Sequence, residues 1–266
     1  MTVPGFTEGD LVAHSGKSGE GEFVHSLNAT DIPSTWVETR AVLGRGQAGV
    51  QEALAEMRGA RPFRLPGTDS ENGSECINAH LVRCCQAQGI QFTRARPYKK
   101  DDNAHVEQKN WTHVRKRMGD VRYASRAARE AMKARYRNDL RRFQNLVLPS
   151  VKLVRKVRGG SRVRRVYDRP QTPVERVRAC PEADPVKVAH VQALRERLDP
   201  FALAAAIDEK LTQLYALAHH HPNLKPKATG KEVTPVVEKQ AIQALSESFG
   251  IRISVGGRAR GSPRGK

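Results

Sequence analysis

The chain begins with three short segments in which apolar and polar residues alternate. These segments are rich in β-branched and aromatic side chains, are separated by Gly/Ser and Asp/Pro/Ser turns, and cover residues 11–15, 22–30 and 35–43. Alternation with a period of two is typical of half-buried strands. We therefore expect three consecutive antiparallel strands, with Asp10, Val12 and His14 on one face of the first.

After these strands the apolar positions take the spacing of amphipathic helices, which alternate with short strands. The order is helix, strand, helix, strand, helix, over residues 47–59, 62–69, 74–89, 90–97 and 104–118. Gly59 and Gly89 end the first two helices, as glycine commonly does. The full order βββαβαβα predicts an α/β fold, a ribonuclease-H-like mixed five-stranded sheet flanked by helices.

The remaining sequence predicts a basic helix, a hairpin and further helices. The basic helix covers residues 125–146, and two alternating basic runs at 151–158 and 161–168 form a β-hairpin joined through Gly159 and Gly160. Its basic positions are expected to fall largely on the solvent face. A proline-marked linker follows at residues 169–176, before helices at 184–198 and 200–220.

These patterns divide the chain into four parts. The predicted parts are the α/β core (1–120), a basic helix plus β-hairpin (121–178), a helical extension (179–221), and a linker with a largely disordered basic tail (222–266).

The composition adds a strong positive charge. Lys and Arg number 46 against 28 Asp and Glu, which gives a formal net charge of +18. Such an excess attracts a polyanion and releases its counterions on binding, so nucleic acid is the leading partner. A ribosomal or chromatin protein, or one that touches an anionic membrane, could carry the same charge.

Cysteine usage and hydropathy indicate the compartment. The four cysteines form neither a CxxC pair with zinc spacing nor a dense disulfide framework, and no apolar stretch is long enough to cross a bilayer. We expect a cytoplasmic, nucleoid-associated protein that does not enter a membrane.

Three acidic residues fall where the predicted sheet would bring them together. Asp10 lies on the first strand, Glu71 just after the fourth, and Glu107 in the second turn of the helix after the fifth. Phosphoryl transfer through two metal ions requires this kind of convergence, because carboxylates must hold the cations about 3.5–4 Å apart.

The sequence around these acids resembles a known family. The runs GDLVAHSG, DSENGSECINAHL and KKDDNAHVEQKNW are similar to the three motif blocks of the retroviral-integrase-like DDE transposases of bacterial insertion sequences. Glu71 and Glu107 are 107 − 71 = 36 positions apart, the spacing that this family favours. NATDIPSTWVETR and YDRPQTPVERV extend the resemblance over roughly residues 8–178, and the joint order is more specific than any single block.

The resemblance implies a transposase or integrase catalytic region that cleaves and transfers DNA strands. It implies two Mg²⁺ or Mn²⁺ ions held by Asp10, Glu71 and Glu107, DNA as the partner, and a homo-oligomer as the active form. The first strand begins within about ten residues of Met1, so the helix-turn-helix region that such transposases carry is expected to be missing.

One position departs from the family pattern. The family has aspartate before Asn-Gly, where this chain has Glu71, and the extra methylene moves the carboxylate by about 1 Å, which can cost about 10²-fold in rate. Asp69 would lie about 6–7 Å from position 71 along an extended strand and is not expected to replace it. The sequence thus leaves open whether the chain is an enzyme, active or impaired, or a catalytically inactive nucleic-acid-binding remnant.

Other side chains are candidates for contacts with DNA or for structural roles. His14 and His105 are either hydrogen-bonded structural residues or neighbours of the metals. Trp36 and Trp111 are expected to pack in the core rather than to stack on bases, because the aromatic content is low. The candidates for DNA contacts are Lys99, Lys100, Lys109, Arg115, Lys116, Arg155, Lys156, Arg162, Arg164 and Arg165.

Overall fold

A mixed five-stranded sheet forms the centre of the protein. The structure is a computed structural model, and it describes residues 3–70, 82–83, 85–94 and 104–218. The strands of the sheet are β1 (Phe6–Ala13), β2 (Val24–Asp31), β3 (Val37–Leu43), β4 (Gly67–Ser70) and β5 (Gln91–Arg94). Their order is β3-β2-β1-β4-β5, with β1 to β3 antiparallel and β4 and β5 parallel to β1. The predicted ribonuclease-H-like α/β fold is confirmed.

Helices cover both faces of this sheet. On one face, α1 (Gln47–Ala60) packs its buried Val50, Ala53 and Met57 against the sheet residues Leu27 and Val42. On the other face lies α2, the name used here for a continuous helix made of Ala104–Lys109, a π-helical segment Asn110–Arg115 and a last turn Lys116–Met118. Alternation along the strands assigns the two faces, because successive side chains point to opposite sides.

Three helices that follow α2 in the chain complete the cluster on the second face. These are α3 (Arg126–Arg137), α4 (Asp139–Arg142 with a π-helical continuation Phe143–Val147) and α7 (Pro200–Ala216). One hydrophobic cluster joins Val12 of β1, Met132 of α3 and Leu214 of α7. The boundary predicted after residue 120 stays a prediction, and this cluster extends across it.

Strands β6 (Leu153–Gly159) and β7 (Arg162–Tyr167) form the predicted hairpin. Gly159 pairs with Arg162, so the two-residue turn is Gly160-Ser161, one residue later than predicted, and Gly160 has φ +60°. Register places Arg155 and Arg164 on one face and Lys156 and Arg165 on the other. The basic positions are exposed to solvent as expected, but they lie on both faces of the hairpin, because all of β6 and nearly all of β7 are exposed.

The prediction of a linker at residues 169–176 is wrong for its second half, since residues 173–176 are the start of helix α5 (Pro173–Arg178). Thr172 Oγ1 accepts a hydrogen bond from Glu175 N (3.4 Å), and Glu175 Oε2 accepts one from Thr172 N (2.7 Å). This capping box satisfies two helix N-terminal donors. Val174 and Val177 are buried in a cluster with Trp36, and helix α6 (Pro185–Glu196) packs beside them.

Among the residues that the structure describes, each helix is too short or too polar to traverse a lipid bilayer. The predicted tail and the histidines at 219–221 lie outside the described residues.

Candidate functional site

Asp10 is held by a network that connects α2 with the sheet. Leu11 N donates to Asp10 Oδ1 (2.6 Å), and Asn110 Nδ2 of α2 donates to Asp10 Oδ2. Asn110 Oδ1 accepts from Asn28 Nδ2 (2.8 Å), and Asn28 is the register partner of Asp10 on β2. Thr39 Oγ1 on β3 in turn donates to Asn28 Oδ1 (3.2 Å). A chain of hydrogen bonds across three strands therefore fixes both the Asp10 carboxylate and one turn of α2.

Glu107 lies on the turn of α2 that precedes this network. It is exposed, and it is three residues before Asn110. Residues three apart are neighbours on a helix surface, so the hydrogen bond from Asn110 to Asp10 holds the turn carrying Glu107 beside β1. The structure thus brings Asp10 and the helix of Glu107 together, and their role as metal ligands stays a prediction.

Glu71 lies outside the described residues. The described pairing of β1 with β4 ends at Gly9 and Ser70, the pair directly before Asp10 and Glu71 in sequence. Among the described residues, which leave out Glu71, no group of three or more His, Cys, Asp or Glu side chains has the arrangement of a metal site.

Glu8 anchors the start of α2 and adds negative charge at this place. Its buried carboxylate accepts a hydrogen bond from Val106 N (2.8 Å). The pKa of Glu8 is raised to about 7, mainly by burial, with smaller contributions from the negative charges of Asp69 and Glu107, and against the lowering effect of hydrogen bonds from the backbone of Val106 and His105. The charges of Asp69 and Glu107 therefore both act on the carboxylate of Glu8.

Asp69 lies opposite Glu8 and not opposite Asp10 in the parallel register of β1 and β4. Whether Asp69 replaces residue 71 stays a prediction, because Glu71 lies outside the described residues. The sequence reasoning missed Glu8 and Asn110. The sequence contained a signal for each. Glu8 precedes Asp10 by the strand period of two and Asn110 follows Glu107 by one helical turn, so each shares a face of its element with a candidate ligand.

His14 belongs to the core and not to the candidate site. Its ring is fully buried, with Nε2 at 2.7 Å from Ser26 Oγ, and Ser26 Oγ lies 2.7 Å from the hydroxyl of Tyr136. Burial, with smaller contributions from the positive charge of Arg115 and from His25, lowers the pKa of His14 to about 3. His14 is thus a neutral structural histidine, whereas His105 is exposed in the first turns of α2.

The predicted DNA-contacting residues occupy two places in the described chain. On α2, Lys116 is exposed and Arg115 is 3.7 Å from the carboxylate of Asp120. Lys109 is half-buried, and burial followed by the charge of Arg176 lowers its pKa to about 8. The hairpin carries exposed Arg155, Lys156, Arg162, Arg164 and Arg165, whereas Lys99 and Lys100 lie outside the described residues.

The two tryptophans differ from each other. Trp36 is 1% exposed and its Nε1 donates to Glu38 Oε1 (2.9 Å), so its predicted place in the core is confirmed. Trp111 is 64% exposed on α2, and the expectation that it packs in the core is wrong. The indole ring stands on the same helix as Glu107, one turn further on.

Comparison with known proteins finds similarities in sequence and in structure. No protein-family model matches the chain. The uncharacterized protein y4rM of Sinorhizobium fredii (strain NBRC 101917 / NGR234) is 41% identical over 179 residues, which are 67% of this chain and 51% of that protein. The chain therefore spans about half the length of the curated relative that it matches.

Two solved structures are similar at low sequence identity. The catalytic core domain of BIV integrase has a TM-score of 0.40 and 19% identity, over 64% of this chain and 91% of that chain. A chain from the simian T-cell lymphotropic virus intasome in complex with the PP2A regulatory subunit B56 gamma has a TM-score of 0.38 and 15% identity, over 44% of this chain and 41% of that chain. The strand order and register within this chain, and not these two similarities, define its fold.

Proposed function

We propose that the chain is the catalytic region of a DNA integrase or transposase of the bacterial insertion-sequence type. In this proposal it acts as a homo-oligomer, hydrolyses one DNA strand and transfers the freed 3′ end into target DNA. The observation that carries the proposal is the hydrogen-bonded bridge through Asn110, which holds Asp10 and the helix of Glu107 at one end of a ribonuclease-H-like sheet.

The donor set suits a hard divalent cation. Mg²⁺ and Mn²⁺ prefer carboxylate oxygens, which Asp10 and Glu107 supply, and Glu71 directly follows the end of β4. The raised pKa of Glu8 reflects, after burial, the repulsion from Asp69 and Glu107, which a cation would relieve. Two ions held by Asp10, Glu71 and Glu107 would supply polarisation of the scissile phosphate and activation of the attacking oxygen.

The residues of this chain then have separate tasks. Asn110 keeps one oxygen of Asp10 oriented, and Glu8 fixes the first turns of α2 through Val106 N. Arg115 and Lys116, further along α2, would contact the DNA backbone in this proposal, because guanidinium and ammonium groups pair with phosphates. Positioning of this kind matters because a displacement of about 1 Å at a reacting centre can cost about 10²-fold in rate.

The test is nicking of supercoiled plasmid and joining of labelled oligonucleotides in Mg²⁺ or Mn²⁺. We expect Asp10→Asn and Glu107→Gln each to abolish metal-dependent activity, because each removes a charged ligand oxygen. Glu209→Gln, at an exposed position of α7, is the matched control and should retain wild-type activity. Activity only after Glu71→Asp would identify an impaired copy. No activity in either metal, even after Glu71→Asp, would show that the proposal is wrong.

A second candidate is a catalytically inactive protein that binds nucleic acid. The observation in its favour is the hairpin, which exposes basic side chains on both of its faces. This candidate predicts salt-sensitive DNA binding that Glu107→Gln does not change, together with no metal-dependent cleavage.

A further inference from the structure

Trp111 is the most exposed aromatic side chain among the described residues, at 64%. Tryptophan has one of the largest apolar surfaces of any side chain and is highly buried on average. On α2 the buried positions Val106, Asn110, Val114 and Met118 follow one another at intervals of four residues, and the buried side chains of His113 and Arg117 lie beside them. Trp111 lies outside this buried stripe, so packing among the residues that the structure describes does not account for the ring.

The position of Trp111 relative to the candidate site is defined by the helix. It is four residues after Glu107, which makes the two side chains neighbours on the helix surface, about 6 Å apart along the axis. Asn110, the preceding residue, points to Asp10. One step along a helix turns the side chain by about 100°, so the indole ring projects to solvent beside the site. The ring also stands in the π-helical segment Asn110–Arg115, and such turns occur frequently at functional sites.

The charge around Trp111 suits a polyanion. From residue 108 to residue 119 the chain contains no Asp or Glu and contains Lys109, Arg115, Lys116 and Arg117. Of these, Lys116 is exposed and the side chain of Arg115 is 35% exposed. The exposed side of α2 therefore presents a carboxylate at Glu107, an aromatic ring at Trp111 and cations one turn later.

We infer that Trp111 stacks on an unpaired base of a DNA strand and so positions the adjoining phosphate at Asp10 and Glu107. The identity of the ligand as DNA rests on the proposed function. An unpaired base is required because bases within a duplex already stack on one another, whereas those of a frayed or single-stranded end offer a free face to an aromatic ring. Phosphate contacts from Arg115 and Lys116 would hold the same strand further along.

The first experiment uses the intrinsic fluorescence of the full chain, which contains two tryptophans. The protein is titrated with oligothymidylate of about 16 nucleotides, without divalent metal so that no cleavage occurs. We expect quenching in the wild type and no quenching in Trp111→Phe, because the remaining Trp36 is 1% exposed. Equal quenching in both proteins, or none in either, would overturn the inference.

The second experiment measures affinity by fluorescence anisotropy of labelled DNA. Trp111→Leu should weaken single-strand binding by about fivefold to a hundredfold, whereas Trp111→Phe should retain most of the affinity. Affinity for blunt duplex should change by less than about twofold, since phosphate contacts dominate there. Phe201→Leu, at an aromatic side chain that is 44% exposed on α7, is the matched control and should bind as the wild type does.

The outcomes separate this inference from the proposed function. Wild-type affinity in Trp111→Leu together with metal-dependent nicking would overturn the inference and leave the function standing. Quenching in the wild type and weakened binding by Trp111→Leu, without any nicking, would support the inference and show that the proposed function is wrong. A change in sedimentation mass of Trp111→Leu without a change in DNA affinity would overturn the inference, because the ring would then be a contact between copies of the chain.

Discussion

Acidification is expected to destabilise the protein through its buried histidines. Comparing the wild type with His14→Gln measures the contribution of His14 to this effect. The ring of His14 is fully buried beside Ser26 Oγ, and burial lowers its pKa from 6.5 to about 3. The folded protein therefore keeps this ring neutral over a pH range in which the unfolded chain binds a proton.

The sign and size of the effect follow from this difference. A group whose pKa is lower in the folded state contributes stability that is present above its unfolded pKa and is lost as the pH falls. For His14 the loss begins near pH 6.5 and continues to about pH 3. Each pH unit below 6.5 costs about 1.4 kcal/mol, so the free energy of unfolding falls by about 2 kcal/mol between pH 7 and pH 5. This is a substantial part of the 5–15 kcal/mol that stabilises a typical domain.

Other groups contribute to the same pH profile, so a comparison of variants is needed. The pKa of His25 is lowered to about 4 and that of His113 well below its usual value, both mainly by burial, and both act in the same direction as His14. Glu8, with a pKa raised to about 7, acts in the opposite direction because its folded form gains a proton first. Only the difference between wild type and His14→Gln reports on His14.

The measurement is urea unfolding of both proteins at pH 7 and pH 5. Glutamine does not titrate and retains a polar group that can pair with Ser26, so His14→Gln should lose about 2 kcal/mol less than the wild type between the two pH values. His190→Gln, at an exposed position of α6, should keep the wild-type pH dependence. An equal loss in wild type and His14→Gln would refute the claim that folding keeps His14 neutral.

Three further changes test the bridge, the helix cap and the hairpin. Asn110→Ala removes two hydrogen bonds, one of them to a carboxylate, and should lower the free energy of unfolding by about 2–4 kcal/mol in urea; a loss below about 0.5 kcal/mol would contradict the bridge. In thermal unfolding, Thr172→Ala should lower the free energy of unfolding by about 1 kcal/mol, whereas Thr172→Ser should keep most of the wild-type value. Equal stability of wild type and Thr172→Ala would show that the capping box does not stabilise the protein. Arg155→Gln and Arg164→Gln should each reduce the slope of log K against log salt by about 1 in DNA titrations. An unchanged slope would exclude the hairpin from phosphate contact.

The fold could be predicted from the sequence because local periodicity carries most of it. The alternating segments before Leu43 and the helix spacing after it determine the order of elements, and short connections limit how such an order can pair. The prediction of a linker at residues 169–176 was wrong for its second half because it treated the prolines there as helix breakers. Pro173 stands at the first position of a helix, where its missing N–H costs nothing, and Thr172 with Glu175 has the spacing of a capping box.

The details of the candidate site were less accessible because they depend on pairings far apart in sequence. The bridge from Asn28 through Asn110 to Asp10 joins residues 110 − 28 = 82 positions apart, and no local pattern reports such a contact. A partial signal existed in α2. Val106, Val114 and Met118 form an apolar stripe, in which Asn110 is the polar member and from which Trp111 is displaced. The low aromatic content of the sequence was the reason for assigning Trp111 to the core, whereas its position on the helix relative to the apolar stripe places it outside.

The cluster that joins Val12 to Leu214 also bears on how the protein reaches its folded state. These residues are 214 − 12 = 202 positions apart, and a ribosome adding about 5–20 residues per second would complete that interval in about 10–40 s. During this time α2, α3 and α4 lack α7, which packs against all three, so the cluster that contains Val12 is incomplete. Closing contacts over such a distance is slow, so the emerging chain passes through an aggregation-prone interval in which chaperones would act on the apolar surface that α7 covers later.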